Sequence, residues 1–236
     1  MKKIIAFGDS FLAGTELPSV DCTWPALIAK RLGIEFETRA VAGCGNDRIA
    51  EQIYQWFTNH PVQNVLAVVN WTWTSRWDLY LLPNHTRDNV GFPRWLTLGP
   101  SCTPSQLSEL CTDTHAGELV DFYNHTGGHS LLWNVFRNLQ TVQAVQSFMW
   151  HQGIVSVQTY MDKHLVKDSN NDFPTYIHRL QQHVKQRMYN FEGLNFLDWS
   201  RQHGHEVTEP GLHPLQSAHI AAADYWESKY SQLLGI

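Results

Sequence analysis

The amino-acid sequence predicts an α/β protein. The expected architecture is a three-layer α/β/α sandwich with a central parallel sheet of about five strands, forming a single domain over residues 1–236 with an irregular insertion after the third strand, at about residues 78–129. Three observations carry that expectation. The first 70 residues alternate strand, helix, strand, helix, strand. The run Val65-Leu66-Ala67-Val68-Val69 is uncharged, rich in β-branched residues and apolar on both faces, as a strand inside a parallel sheet must be. The alternation then resumes near residue 131 and continues to the C-terminus.

Each element has a local reason. Residues 4–7, Ile-Ile-Ala-Phe, form a short apolar run stopped by Gly8 and read as a buried strand. Residues 23–32 read as a helix, with Thr23 as N-cap, Pro25 in the first turn and Gly33 as the stop. Residues 35–41 alternate and read as the second strand. Residues 46–58 carry Ile49, Ile53, Trp56 and Phe57 at helical spacing, with Asn46 as a possible N-cap. Residues 131–152 place Leu132, Val135, Phe136, Leu139, Val142 and Val145 on one face of a long helix that Gly153 ends. Residues 154–159 read as a strand, 174–189 as a helix, 194–197 as a last short strand, and 217–234 as the closing helix. Between 78 and 129 no period is sustained apart from a short helical stretch at 104–111. Its position after the central strand is where α/β folds place loops that contact ligands, so a lid over the crevice is expected.

Composition narrows the function classes. Lys+Arg 17 against Asp+Glu 22 gives a formal charge of -5 with no basic cluster, which argues against a nucleic-acid partner. Hydrophobic residues at 43% with only 17% charged residues exclude a disordered chain. Cys22, Cys44, Cys102 and Cys111 form no C-x-x-C pair, so free thiols are expected rather than a zinc site. The apolar run at the N-terminus is four residues, short of the roughly 7–15 of a secretory h-region, and no stretch reaches the roughly 18 apolar residues of a membrane span. The expectation is a soluble, cytoplasmic protein. No P-loop or G-x-G-x-x-G follows a strand, and no cofactor is expected.

Two ends of the chain hold the candidate chemistry. Gly8-Asp9-Ser10 lies just past the first strand, facing the crevice of an open α/β sheet, where a serine is a nucleophile if a base reaches it. His213-Pro214 precedes the closing helix and lies at the same sheet edge, so the imidazole can take the serine proton. The plainer readings are a serine cap and a surface histidine.

Together these residues resemble the SGNH hydrolase superfamily of GDSL-like lipases and esterases. Gly8-Asp9-Ser10-Phe11 looks like its first motif, which carries the nucleophile, and His213-Pro214 like its last, which carries the base. Ala40-Val41-Ala42-Gly43-Cys44-Gly45-Asn46-Asp47 falls where the family has its second motif. The resemblance implies a flavodoxin-like SGNH fold and an oxyanion hole made by the backbone N–H groups of Ser10 and Gly43. The third motif, usually Gly-x-Asn-Asp, is replaced by Asn70-Trp71-Thr72-Trp73. Asn70 suits the oxyanion by chemistry and Thr72 by alignment. The family's acid three residues before the histidine is here Pro210, which leaves Glu209 as the tentative orienting carboxylate, with Glu206 or a backbone carbonyl as alternatives.

Other constellations are weaker. His203-x-His205 lacks a third metal ligand, and no metal is expected. Trp71, Trp73 and Trp77 alternate, and on an extended segment they share one face. Trp71 and Trp73 are therefore candidates for a substrate platform, or for a wall beneath the insertion. Arg76 and Asp78 are placed to pair with each other. Two functions stay open. One is a serine esterase acting on an ester, such as an O-acetyl or short acyl group on a carbohydrate. The other is a carbohydrate-binding protein on a catalytically degenerate scaffold.

Overall fold

The computed structural model describes residues 2–81, 95–107, 113–166, 173–209 and 212–235. Cys111, Pro210 and Gly211 lie outside the described residues. Four strands form one parallel sheet: β1 (Lys3–Phe7), β2 (Glu35–Thr38), β3 (Val65–Trp71) and a strand at Val155–Tyr160, which is the sixth in chain order and is called β6. Their order is β2-β1-β3-β6. Phe7 lies beside Val69, and Asn70 beside Thr159.

Side chains of successive residues leave opposite faces of the sheet, so each strand feeds two cores. Ile5, Phe7, Ala67, Val69 and Trp71 pack under α3 (Asn46–Asn59) and the helices Leu131–His151 and Thr175–Lys185, called α6 and α7. Ile4, Ala6, Leu66, Val68 and Val157 pack under α2 (Trp24–Arg31) and the helices Phe196–Gln202 and Gln216–Leu234, called α8 and α9. The result is the expected three-layer sandwich. A short helix, α1 (Ser10–Ala13), leaves the end of β1. Chain order reverses at β1, because β2 lies on one side of it and β3 on the other. The crevice beyond the ends of β1 and β3 is therefore where an α/β sheet binds its ligand.

Several expectations are corrected. The sheet has four strands among the described residues, and 194–197 is not a fifth. Asn195 caps α8 there, its Oδ1 accepting from the Asp198 N–H at 2.7 Å, and Phe196, Leu197 and Trp199 are buried. Four apolar-rich residues cannot by themselves tell a strand from the first turn of a buried helix. The N-cap of α3 is Gly45, not Asn46. The helix start is capped from outside by Asp78, whose carboxylate accepts from the N–H groups of Gly45 and Arg48, both at 2.8 Å. Asp78 is thus not the partner of Arg76.

The segment expected to be irregular builds structure of its own. Trp77–Tyr80 and Trp95–Leu98 pair antiparallel as β4 and β5, followed by α4 (Pro104–Leu107) and α5 (Asp113–His125). Trp77, Leu81, Leu96, Leu98, Leu107, Ala116 and Tyr123 form a separate small core beneath them. The tryptophans do not share a face. Trp71 is fully buried in one sheet core, Trp73 packs at the edge of the other, and Trp77 belongs to the third cluster. The backbone bends after β3, which destroys the alternation.

Candidate active site

The end of β1 is held by a buried polar network. Asp9 is fully buried and caps α1, accepting from the Phe11 N–H at 3.2 Å. Its other oxygen accepts from the Thr72 hydroxyl at 2.5 Å and from Arg76 Nη1 at 3.0 Å. Arg76 Nη1 also donates to Thr72 Oγ1 and to the Cys44 carbonyl. The Thr72 backbone is clamped in turn by the Asn46 side chain, which accepts from its N–H at 2.8 Å and donates to its carbonyl at 3.2 Å. A buried carboxylate is tolerable only when paired and hydrogen-bonded in this way. The network fixes the turn that carries Ser10, itself only 5% exposed.

Asn70 stands beside this turn. Gly8 has no side chain, and a Cβ there would meet the Asn70 carbonyl at 3.1 Å, Asn70 Cβ at 3.3 Å and Leu12 Cδ1 at 3.3 Å. Glycine is what lets β3 and α1 close around the start of the motif. Asn70 is buried, and its Oδ1 accepts from the Thr159 hydroxyl at 2.9 Å. Its Nδ2 has no hydrogen-bond partner among the described residues. Buried amides almost always find partners, so a donor left free beside the Ser10 turn stands out. The Thr72 hydroxyl, the alternative donor, is already spent on Asp9. Gly43 lies exposed on the turn between β2 and α3 with φ +77°, a left-handed conformation that favours glycine.

His213 arrives on the loop between α8 and α9. An isolated antiparallel bridge between Val207 and Pro214 closes that loop. Inside it the Thr208 N–H donates to the His213 carbonyl at 3.0 Å, and the His213 N–H donates to Thr208 Oγ1 at 3.1 Å. The imidazole meets the ring of Phe11 edge-on, with centroids 5.4 Å apart. Phe11 follows Ser10 directly, so the structure brings the two ends of the chain together. No hydrogen bond joins Ser10 Oγ to His213 among the described residues; the contacts between their segments run through Phe11 and Glu16.

The carboxylate beside His213 is one the sequence reading did not single out. Glu16 Oε2 lies 3.1 Å from His213 Nδ1. A hydrogen bond from the Thr208 hydroxyl, joined by His213, holds the Glu16 carboxyl below its ordinary range against a smaller opposing effect of burial. Glu209 is exposed and makes no hydrogen bond or ion pair among the described residues, and Glu206 contributes its carbonyl to the Leu215 N–H. The pairing of Thr208 with His213 turns the next residue, Glu209, to solvent. The one signal for Glu16 in the sequence was a carboxylate six residues past Ser10, on the turn that ends α1. His219, six residues past His213, has a different fate. It is buried on α9 with Nδ1 accepting from the Trp24 N–H, and burial pushes its pKa down to about 3. It is a neutral core histidine.

Beyond the ends of β3 and β6 opens a cleft of about 420 Å³, lined by Trp73, Ser75, Asp162, Arg201 and Leu212, the residue before His213, among others. Trp73 therefore borders a cleft, whereas Trp71 offers no face to a ligand. No group of three metal-ligating side chains occurs among the described residues, and His203 and His205 lie at and beyond the end of α8 rather than on a strand. No helix of the described residues is long and apolar enough to cross a membrane.

No model of a known protein family matches the sequence, and no curated protein matches it. Solved structures do. A member of the lipolytic G-D-S-L family from Veillonella parvula superposes with a TM-score of 0.54 at 11% identity, over 98% of this chain and 100% of that one. TesA gives 0.53 at 13% identity, over 98% and 99%. The psychrotrophic esterase EstA from Pseudoalteromonas gives 0.51 at 12% identity, over the whole of both chains. At such identities the likeness establishes the fold, shared with these G-D-S-L lipolytic proteins and esterases, and leaves function to the site.

Proposed function

We propose that the protein is a serine esterase with Ser10 as nucleophile and His213 as general base. The observation that carries this reading is the 5.4 Å contact between the His213 and Phe11 rings, which sets an imidazole from the far end of the chain against the segment that bears Ser10. Ser10 Oγ attacks the ester carbonyl as His213 Nε2 takes its proton, and the same proton passes to the leaving alcohol. Negative charge develops on the carbonyl oxygen. The N–H groups of Ser10 and Gly43 and the unpartnered Asn70 amide supply the donors. The proton transfer requires Ser10 Oγ and His213 Nε2 to come within hydrogen-bond reach, directly or through one water, in the substrate complex.

The substrate we propose is a short acyl ester of a polar alcohol such as a sugar. The cleft that reaches the His213 loop at Leu212 mixes Trp73 and the aliphatic Leu131, Met161 and Leu197 with hydroxyl and charged groups, a lining that can take a short acyl group together with a hydroxylated alcohol. A fluorophosphonate probe tests the enzyme reading. The expected outcome is stoichiometric labelling that Ser10→Ala abolishes, together with turnover of 4-nitrophenyl acetate that the same change removes. A chain that neither labels nor turns over any short ester is a binding protein on this fold.

A further inference from the structure

We infer that Glu16 is the carboxylate that positions His213, so that the acid of the site is delivered by the nucleophile's own segment instead of by the histidine's loop. The inference rests on the esterase reading and adds to it a residue with a defined task.

The geometry comes first. Glu16 Oε2 is 3.1 Å from His213 Nδ1, the ring nitrogen opposite the one that must face the serine. An Nδ1–H donated to a carboxylate fixes the tautomer in which Nε2 is free to accept a proton, and it stabilises the imidazolium once that proton has moved. Ser10 opens α1, Gly14 closes it in a left-handed turn, and Glu16 follows two residues later. Nucleophile and acid thus sit within seven residues, and His213 docks across them with Phe11 beneath its ring.

Two further observations point to the same pair. Four non-glycine residues among those described have positive φ, and two of them flank this contact: Glu16 at +67° and Leu212 at +57°. A β-carbon is disfavoured in this region, and such residues persist where the surroundings demand them, commonly at functional sites. The left-handed turn at Glu16 presents its carboxylate to the imidazole, and the one at Leu212 sets the direction in which His213 leaves its loop. Thr208 then joins the pair. Its hydroxyl accepts from the His213 N–H, and its nearness to the Glu16 carboxyl helps hold that group below its ordinary range, so one side chain bears on both partners. Glu209, at the place next to the usual acid position, makes no comparable contact.

Because the Glu16 side chain is 41% exposed, its removal leaves no buried cavity, and solvent softens the effect relative to a buried triad acid. The experiment compares wild type with Glu16→Gln, Glu16→Asp and Glu209→Gln, measuring kcat and KM on 4-nitrophenyl acetate, the rate of fluorophosphonate labelling, and the melting temperature. For Glu16→Gln, kcat and the labelling rate should fall about 10²-fold with KM within twofold and the melting temperature unchanged, against roughly 10⁴ for a fully buried acid. Glu16→Asp, which keeps the charge, should recover part of the loss, and Glu209→Gln should match wild type. An active wild type whose Glu16→Gln variant keeps full kcat overturns the assignment and leaves the esterase reading standing. A wild type that neither labels nor turns over overturns the esterase reading, and the assignment falls with it.

Discussion

The turn that carries Ser10 and the loop that carries His213 are built in opposite ways. Asp9 is wholly buried and takes three hydrogen bonds from two other parts of the chain, α1 and the segment after β3. Its partner Thr72 is itself buried and is bonded to the buried Asn46, whose side-chain amide donates in turn to Oδ1 of the buried Asn138. Among the described residues, the histidine loop is held by one antiparallel bridge, the backbone bond from Leu212 to Thr208, one threonine hydroxyl, the edge of Phe11 and one half-exposed carboxylate. Ser10 therefore sits in a rigid frame and His213 on a lightly held arm. Lesions in the frame should be read out in stability, and lesions in the arm in rate. That contrast can be broken by measurement.

Asp9→Ala is expected to have the largest effect. It leaves the Arg76 guanidinium without its carboxylate and Thr72 without its acceptor. Breaking a buried pair costs about 3–5 kcal/mol, and the partial exposure of Arg76 places the loss near the lower end. Urea denaturation should show the midpoint falling by that amount at constant m-value. A loss below about 1 kcal/mol means that the turn is no more rigid than the loop.

Asn70 and Thr72 sharpen the comparison within the frame itself. The Asn70 amide is free while its carbonyl oxygen accepts from Thr159, and the Thr159 hydroxyl keeps a second acceptor in the Val69 carbonyl at 3.3 Å. Asn70→Ala should therefore lower kcat about 10²–10³-fold, the usual cost of one oxyanion donor, with a modest change in stability. Thr72→Val should do the reverse, since its hydroxyl serves Asp9. Steady-state kinetics beside a melt of each variant decides it. Thr72→Val losing rate at unchanged stability would reassign the donor to Thr72.

The same division explains what was legible in the sequence. The sheet and its helices were readable at β1, β3, α3, α6 and α9 because burial imposes a period on each. Ser10 and His213 stood out because each lies at a strand or helix end, and the structure brings their segments together at Phe11 and Glu16. The pairing of Trp77–Tyr80 with Trp95–Leu98 was not, because it joins segments across a long connection and the alternation is spread over two short strands. Glu16 was not, because its partner lies 197 residues away and a single carboxylate on a turn carries no period. Asp78 was assigned to the nearby Arg76 on proximity alone, whereas a distant helix N-terminus with unpaired N–H groups was the stronger claimant.

Thr208→Val should have the smallest effect and isolates the arm. The side chain keeps its shape and loses one hydroxyl, which accepts from the His213 N–H and lowers the pKa of the neighbouring Glu16 carboxyl. The His213 N–H lies in a half-buried loop where water can replace the lost acceptor, so unfolding stability should change by about 1 kcal/mol or less. Rate is more sensitive, because a displacement of about 1 Å in a catalytic group can cost 10² in turnover. With the Glu16–His213 contact itself intact, the expected fall in kcat is nearer tenfold, with KM unchanged. Combining Thr208→Val with Glu16→Gln gives the decisive reading. If Thr208 acts through Glu16, the double variant should be no slower than Glu16→Gln alone, since the two side chains serve one imidazole and their losses do not add. Multiplicative losses would instead show that Thr208 holds the loop backbone independently of the carboxylate, and the arm would then have two separate anchors.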